Sequence, residues 1–249
     1  MISFDKEQIF LVTGASSGLG EGTALLLNEL GASVIAVGRN WERLENMRKK
    51  SKFPENVFLE EKDLTEDIAG LPQYVKSLKD KYGKLQGLAY CAGVVEVKPL
   101  QLVDYDEMKK LFDINYFAPI FMAKGFADRR VNRGRGAAAV FISSMAAFVS
   151  SRGMLTYSGS KAGLAASIRA IARETAPSGV RFNCVSPSDI VTPMTHGSEP
   201  IFNIMKEKED KYPMGFGEVG DVAKMIAYLL SDDAKWITTQ NYIIDCGYM

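Results

Sequence analysis

The chain has almost no histidine: His196 is the only one in 249 residues. Histidine acid–base chemistry and histidine-rich metal centres are therefore poor fits. Cysteine is also scarce, with Cys91, Cys184 and Cys246 far apart and no C-x-x-C. That argues against a disulfide framework and a cysteine-built metal site, and leaves three buried thiols in apolar runs as the expectation. Net charge is missing too, since Lys+Arg and Asp+Glu both number 30. Such a chain has no overall attraction to nucleic acid or to an anionic membrane. Its one basic run, "RRVNRGR" (129–135), reads as a solvated helix end. No apolar run approaches the ~20 residues of a membrane-spanning helix. The start, "MISFDKEQIFLVTG", places charges before an apolar run too short for a secretory signal. The expectation is a reduced, cytoplasmic protein with neither a nucleic-acid nor a membrane partner.

Hydrophobic residues make up 47% of the chain, enough for a sizeable core. Short apolar runs alternate with longer amphipathic stretches. Strands are predicted at 9–14, 33–38, 57–61, 87–93, 137–144, 180–187 and 242–247. Helices are predicted at 20–31, 40–50, 71–83, 104–133, about 155–176 and 219–232. Near-continuous apolar strands separated by helices imply a parallel sheet with helices on both faces. Repeated βα alternation makes it a doubly wound α/β fold. Composition does not break anywhere, so residues 1–249 read as one domain. The segment 188–218 holds three prolines and lacks clean periodicity, the character of a substrate-binding lid. His196 falls in it and is expected at the surface.

"TGASSGLG" (13–20) follows the first strand and opens a helix. Gly14, Gly18 and Gly20 permit a tight turn and close approach of a phosphate, and the helix N-terminus offers it unpaired N–H groups. Ser16 and Ser17 have two readings, as donors to phosphate oxygens or as helix caps. After the second strand, "AVGRN" places Gly38 where NAD-specific folds put an acidic residue, and Arg39 follows. A guanidinium binds a 2′-phosphate bidentately, whereas a carboxylate repels it. NADP(H) is therefore the expected cofactor, with NAD(H) left open. The other reading of Arg39 is a solvated residue capping the next helix.

"YSGSK" (157–161) sets Tyr157 and Lys161 four positions apart, on one helix face. A phenol with a pKa of about 10 is a poor base at neutral pH. A nearby ammonium and an oxidised nicotinamide ring both favour the phenolate. Bringing the phenol near neutrality takes roughly 4 kcal/mol of differential stabilisation.

The spacing T-G-x-x-x-G-x-G resembles the short-chain dehydrogenase/reductase family, and the resemblance runs the whole chain. "CAG" (91–93) sits where that family has Asn-Ala-Gly, "DIN" ends in Asn115, and "FISSMAA" carries Ser143 and Ser144. "YSGSK" fits Y-x-x-x-K, "VSPSDIVTPM" fits the segment after the sixth strand, and 219–248 resembles the C-terminal end. The resemblance implies a single Rossmann domain with a seven-stranded sheet, assembled as a homodimer or homotetramer. It implies a catalytic set of Asn115, Ser144, Tyr157 and Lys161. Tyr157 is the acid–base group, Lys161 also reaches the nicotinamide ribose, and Asn115 holds a water joined to Lys161. Ser144 donates to the substrate oxygen, while Ser143 should point to the opposite face of its strand.

Carried over position by position, the cofactor contacts begin with Gly14, Ser16, Ser17, Gly18, Leu19 and Gly20. Arg39, Asp63 and Leu64 follow, then Cys91, Ala92 and Gly93, then Tyr157 and Lys161, and last Pro187, Ile190 and Thr192. Asp63 resembles the adenine-contacting residue and equally suits a plain turn. Ser144 and Tyr157 face the substrate, with Val94, Phe148, Met154, Met194 and Phe202 as apolar wall or ordinary core.

Three positions depart from the family pattern. Cys91 replaces an asparagine that steadies the central strand, Ser188 a glycine beside the nicotinamide, and Cys246 a glycine near the C-terminus. The expected activity is NADP(H)-dependent interconversion of a carbonyl and a secondary alcohol. Its substrate would be a 3-oxoacyl group or a small ketone, sugar or polyol. A catalytically silent dinucleotide sensor and a purely structural subunit are the rival readings.

Overall fold

A computed structural model describes residues 2–196 and 199–248, without the side chains of residues 196, 199, 200 and 204. The expectation for the His196 side chain lies outside the described residues, as do residues 197 and 198 of the expected lid. Seven parallel strands form one sheet in the order β3-β2-β1-β4-β5-β6-β7. They are β1 (Ile9–Thr13), β2 (Ser33–Gly38), β3 (Val57–Glu61), β4 (Leu85–Tyr90), β5 (Ala138–Ile142), β6 (Arg181–Pro187) and β7 (Asn241–Ile244). Every residue of β1, β2, β5 and β6 is buried, because apolar side chains on both faces meet helices. The edge strand β3 instead alternates buried and half-buried residues along "VFLEE".

The helices are α1 (Gly18–Glu29), α2 (Trp41–Lys50), α3 (Leu71–Tyr82), α4 (Tyr105–Phe112), α5 (Ala118–Ala127), α6 (Leu155–Thr175), α7 (Pro193–His196), α8 (Glu199–Lys206) and α9 (Val219–Leu230). Two apolar clusters flank the sheet. Leu71 and Val75 of α3, Phe126 of α5 and Leu164 of α6 fill one. Leu27 of α1, Met47 of α2 and Ile226 of α9 fill the other. The doubly wound, seven-stranded architecture thus agrees with the expectation.

Boundaries differ where local chemistry intervenes. The predicted helix 104–133 is α4, a five-residue π turn over Asp113–Phe117, and α5. It stops early because Asn132 donates to Phe126 O at 2.8 Å and takes over a helix-end carbonyl. The last strand ends at Ile244, and Cys246 follows in a left-handed conformation, φ 60°. The segment 188–218 contains α7 and α8 and returns to its own start through the Ile190–Gly217 bridge.

Strand order reverses between β1 and β4, so the connections beyond their carboxyl ends run to opposite sides and leave a crevice there. The far side of β6 is braced by Arg181, which is 5% exposed. Its guanidinium donates to Leu229 O at 2.7 Å and Ser231 O at 2.9 Å, satisfying carbonyls at the end of α9. Arg181→Met should therefore lower unfolding stability by about 2–3 kcal/mol, a charged donor's share. Urea denaturation checks this, and a loss under about 0.5 kcal/mol would refute it.

Candidate active site

Four strand ends feed the crevice: Gly14 follows β1, Cys91 follows β4, Ser143 and Ser144 follow β5, and Ser188 follows β6. Thr13 ties the first two together. Its hydroxyl accepts from Cys91 N at 3.1 Å and Ala92 N at 3.2 Å. Gly14 has φ 67°, and a Cβ there would stand 2.9 Å from Ala92 N. At Gly20 a Cβ would stand 2.2 Å from Gly14 O. These glycines let turn, helix and neighbouring strand end close on one another, leaving backbone rather than side chain facing the cleft. Ser17 is the N-cap of α1, yet its side chain makes no capping bond, so its hydroxyl is free to serve a ligand.

A cavity of about 700 Å³ opens here. It runs from the turn Gly14–Leu19, past Gly38, Arg39 and Leu64, to Cys91–Val94, and reaches Tyr157, Lys161, Thr192 and Met194. Lys62 and Thr65 join its wall at the Arg39 end. A glycine turn at a helix N-terminus, two cations at one end and a phenol–ammonium pair at the other fit an elongated anionic dinucleotide. Asn40, not Arg39, caps α2, accepting from Arg43 N at 2.8 Å. That corrects the capping reading of Arg39, whose side chain is 71% exposed and 3.8 Å from Asp63 Oδ2. Asp63 turns its Oδ1 to the amide and hydroxyl of Thr65, as a turn residue does, and is not part of this cavity's wall. Burial works against its ionisation, but the Thr65 donors and Arg39 outweigh that and hold it below the usual carboxylate range.

Tyr157 and Lys161 stand one turn apart on α6, with the Lys161 Nζ 5.9 Å from the Tyr157 ring centroid. Lys161 is 4% exposed, and its ammonium donates to Ile142 O at 2.8 Å. Burial lowers its pKa to about 8. A Cβ on Gly93 would lie 3.0 Å from Asn115 Oδ1 and 3.4 Å from the Lys161 Nζ, so only glycine leaves that space open. The Tyr157 phenol is held above its ordinary value. Burial raises it most, the Ser144 hydroxyl beside it pulls it back, and the Asp189 carboxylate raises it again.

Ser143 donates to Lys161 O at 3.0 Å and is buried, whereas Ser144 lines a cavity together with Tyr157. Asn115 is fully buried in the π turn, a widening that is often found at functional sites. Its Oδ1 accepts from Val94 N at 2.9 Å, and its Nδ2 donates to Val94 O at 2.8 Å and Ser160 Oγ at 3.3 Å. The side chain therefore clamps the wall of the cleft and lines neither cavity.

A second cavity of about 150 Å³ adjoins the first, and Tyr157, Val95 and Met194 belong to both. Ser144, Met154, Asp189, Lys208 and Tyr248 are among its other lining residues. Val94 lines only the larger cavity. Phe148 and Phe202, expected as substrate wall, line neither, and Phe148 is half exposed because it ends a short helical turn facing outward. Gly20, Pro187 and Ile190 likewise stand behind the wall.

The three departures have local partners. The Cys91 thiol, pushed up to about 12 by burial, lies against Thr23, and Thr13 holds the backbone of its turn. Ser188 does not have positive φ, so a residue with a side chain sits there without backbone strain. Its hydroxyl bonds Tyr212 Oη at 2.6 Å, which a glycine could not do. Cys246 keeps the glycine's positive φ and accepts from Met214 N at 3.3 Å through its sulfur. Thr13, Asp189, Lys208 and Tyr248 escaped sequence reasoning. Asp189 had a signal, a charge directly after the Ser188 departure; Lys208 had none.

Residues 14–249 match the family described as Enoyl-(Acyl carrier protein) reductase. The chain is 32% identical over 244 residues to the 3-oxoacyl-(acyl-carrier-protein) reductase FabG of Rickettsia conorii, covering 96% of this chain and 95% of that one. It is 28% identical over 246 residues to the NADP-dependent (R)-specific alcohol dehydrogenase of Lentilactobacillus kefiri, covering 98% and 97%. A solved short-chain type dehydrogenase/reductase from Mycobacterium ulcerans is 30% identical and superposes with a TM-score of 0.87, over 99% of this chain and 90% of that one.

Burial of the Lys161 ammonium has a cost that can be measured. Its pKa of about 8 lies below 10.5, so the folded state disfavours the charged form. The penalty is fully present below about 8 and fades as pH rises toward 10.5. It amounts to roughly 3 kcal/mol. Lys161→Met should therefore raise the Tm of the ligand-free protein at pH 7, and raise it less at pH 10. Thermal melts at both pH values check this; a lower Tm at pH 7 would refute it.

Proposed function

We propose a function from one established premise: the chain belongs to the short-chain dehydrogenase/reductase family, a family of oxidoreductases. The proposed reaction is NADP(H)-dependent interconversion of a carbonyl and a secondary alcohol. One observation carries it. Tyr157 lines both cavities, so a single phenol faces the dinucleotide cleft and the small chamber holding Ser144.

A nicotinamide cofactor, when bound, supplies or accepts the hydride. Gly14, Ser16, Ser17 and the N-terminus of α1 would hold its diphosphate, and Arg39 with Lys62 its 2′-phosphate. Ser144 donates to the substrate oxygen, where negative charge builds during reduction. Tyr157 gives its Oη proton to that oxygen in reduction and takes one back in oxidation. The polypeptide's own groups keep that proton on the phenol, so the donor form needs no further help. Lys161, charged below about 8, favours the phenolate when oxidation calls for it. Thr192 lines the larger cavity too and would bind the carboxamide, as the family resemblance implies. Assembly into a dimer or tetramer belongs to the same reading, and Trp236, 95% exposed, suits an interface.

Tyr157→Phe should lower kcat by about 10²- to 10⁴-fold for any carbonyl the wild type reduces. NADPH binding, followed by fluorescence titration, should survive it. Retained turnover would remove Tyr157 from its role. Arg39→Asp should shift the NADPH-over-NADH preference toward NADH by roughly 10- to 100-fold, the worth of charge-assisted hydrogen bonds. An unmoved ratio in steady-state kcat/KM would dismiss Arg39 as the 2′-phosphate partner.

A further inference from the structure

The small chamber carries a charge that the proposed chemistry does not use. Lys208 lines it together with Ser144 and Tyr157. Its ammonium stands 5.8 Å from the Tyr248 ring centroid and 3.4 Å from Ser151 Oγ. Among the described residues no carboxylate lies within ion-pair distance of it. Surface lysines usually snorkel into water or find an acidic neighbour. This one is half-buried at a largely apolar chamber, held by a ring face and one hydroxyl.

Asp189 is the other charge in that chamber, and the two do not pair. Its Oδ2 accepts from Tyr212 Oη at 2.8 Å, and Tyr212 is stacked on Tyr248 at 4.7 Å. Asp189 acts on the phenol, while Lys208 sits beside Ser151 and Tyr248. The chamber therefore holds a carboxylate that acts on the phenol and an ammonium, beside Ser151 and Tyr248, that is not among the groups acting on it. A substrate that fills it should carry its own negative charge away from its carbonyl. A volume of about 150 Å³ restricts that substrate to a short chain.

We propose that Lys208 is a specificity-determining residue that receives the carboxylate of a small oxo acid, or of the matching hydroxy acid, whose carbonyl or hydroxyl lies between Ser144 and Tyr157. This rests on the oxidoreductase reading above and deepens it. An uncharged ketone would leave the ammonium unmatched, so short anionic substrates should be preferred over their esters.

The test uses the full chain with NADPH and three acids: 2-oxobutanoate, 3-oxobutanoate and 4-oxopentanoate. Each is paired with its methyl ester, and cyclohexanone serves as an uncharged control. At least one acid should exceed its ester in kcat/KM by roughly 10- to 100-fold, carried by KM, as expected for one charge-assisted contact. Lys208→Met should collapse that acid-over-ester ratio toward unity, and Lys208→Arg should keep most of it. Esters equal to or better than acids, a ratio that survives Lys208→Met, or no turnover of any acid would each overturn the inference. Turnover of an ester or of cyclohexanone would still sustain the oxidoreductase reading, whereas absence of NADPH binding would overturn that reading itself.

Discussion

An ammonium held almost out of water beside a phenol is the constraint on which the rest of this site depends. Lys161 is 4% exposed and has one strong acceptor, the Ile142 carbonyl. Desolvating a charge this far costs stability, and a core could have placed a leucine there for less. The arrangement becomes intelligible only if the charge acts on something. Everything around it is shaped to tolerate it. β5 ends at Ile142 and offers a carbonyl, Ser143 fixes the helix backbone at Lys161 O, and Gly93 keeps a side chain out of the space between the ammonium and Asn115. A small change at any of these would move the charge relative to the phenol, although none of the three carries chemistry of its own.

The electrostatics at Tyr157 oppose the simplest account of it. Two neighbouring cations were expected to lower the phenol, yet the polypeptide alone raises it, because burial and Asp189 outweigh the Ser144 hydroxyl. The Lys161 ammonium, 5.9 Å from the ring centroid, does not reverse this in the ligand-free cleft. The two findings fit one another if the site's resting form is a protonated donor. A lowered phenol would then be a property of the loaded cleft rather than of the chain, since it takes a further positive charge next to the ring. Asp189 adds to that bias from the substrate side, where no glycine-turn or sheet requirement placed it.

Much of this was legible in the sequence, and the reasons are physical. The sheet could be read because strands buried on both faces are continuously apolar, and "IFLVT" or "AAVFI" admits little else. The cleft could be read because close approach of backbone to backbone requires glycine at Gly14 and Gly20. Spacing put Tyr157 and Lys161 on one helix face and set Ser144 apart from Ser143 by strand alternation, while their grouping as one set came from the family resemblance. The π turn could not, since Asp113–Phe117 has ordinary helical residues and its widening comes from Asn115 bonding to Val94 across the cleft. The substrate wall was the poorest reading. Phe148 and Phe202 are large and apolar, but a loop residue's direction depends on contacts distant in sequence. Lys208 was invisible for the same reason: its partners, Ser151 and Tyr248, come from 57 residues earlier and from the C-terminal end.

Two of the three departures from the family pattern, Ser188 and Cys246, fall in one cluster, while Cys91 stands apart at the end of β4. Ser188 bonds Tyr212, Tyr212 bonds Asp189 and stacks on Tyr248, and Cys246 holds Met214 N two residues from that tyrosine. Glycine at 188 would break the first link, and glycine at 246 would remove the sulfur from the last. Ser188, with the Ile190–Gly217 bridge, therefore ties the return limb of 188–218 to its own start, and Cys246 ties it to the C-terminal segment. Tyr212 is 6% exposed, so this limb is packed rather than draped over the opening. A wall fixed in this way can hold Asp189 and Lys208 in register with Ser144 and Tyr157, as selection among small substrates requires. Ser188 and Cys246 thus replace glycines with side chains that fasten the wall beside Ser144 and Tyr157.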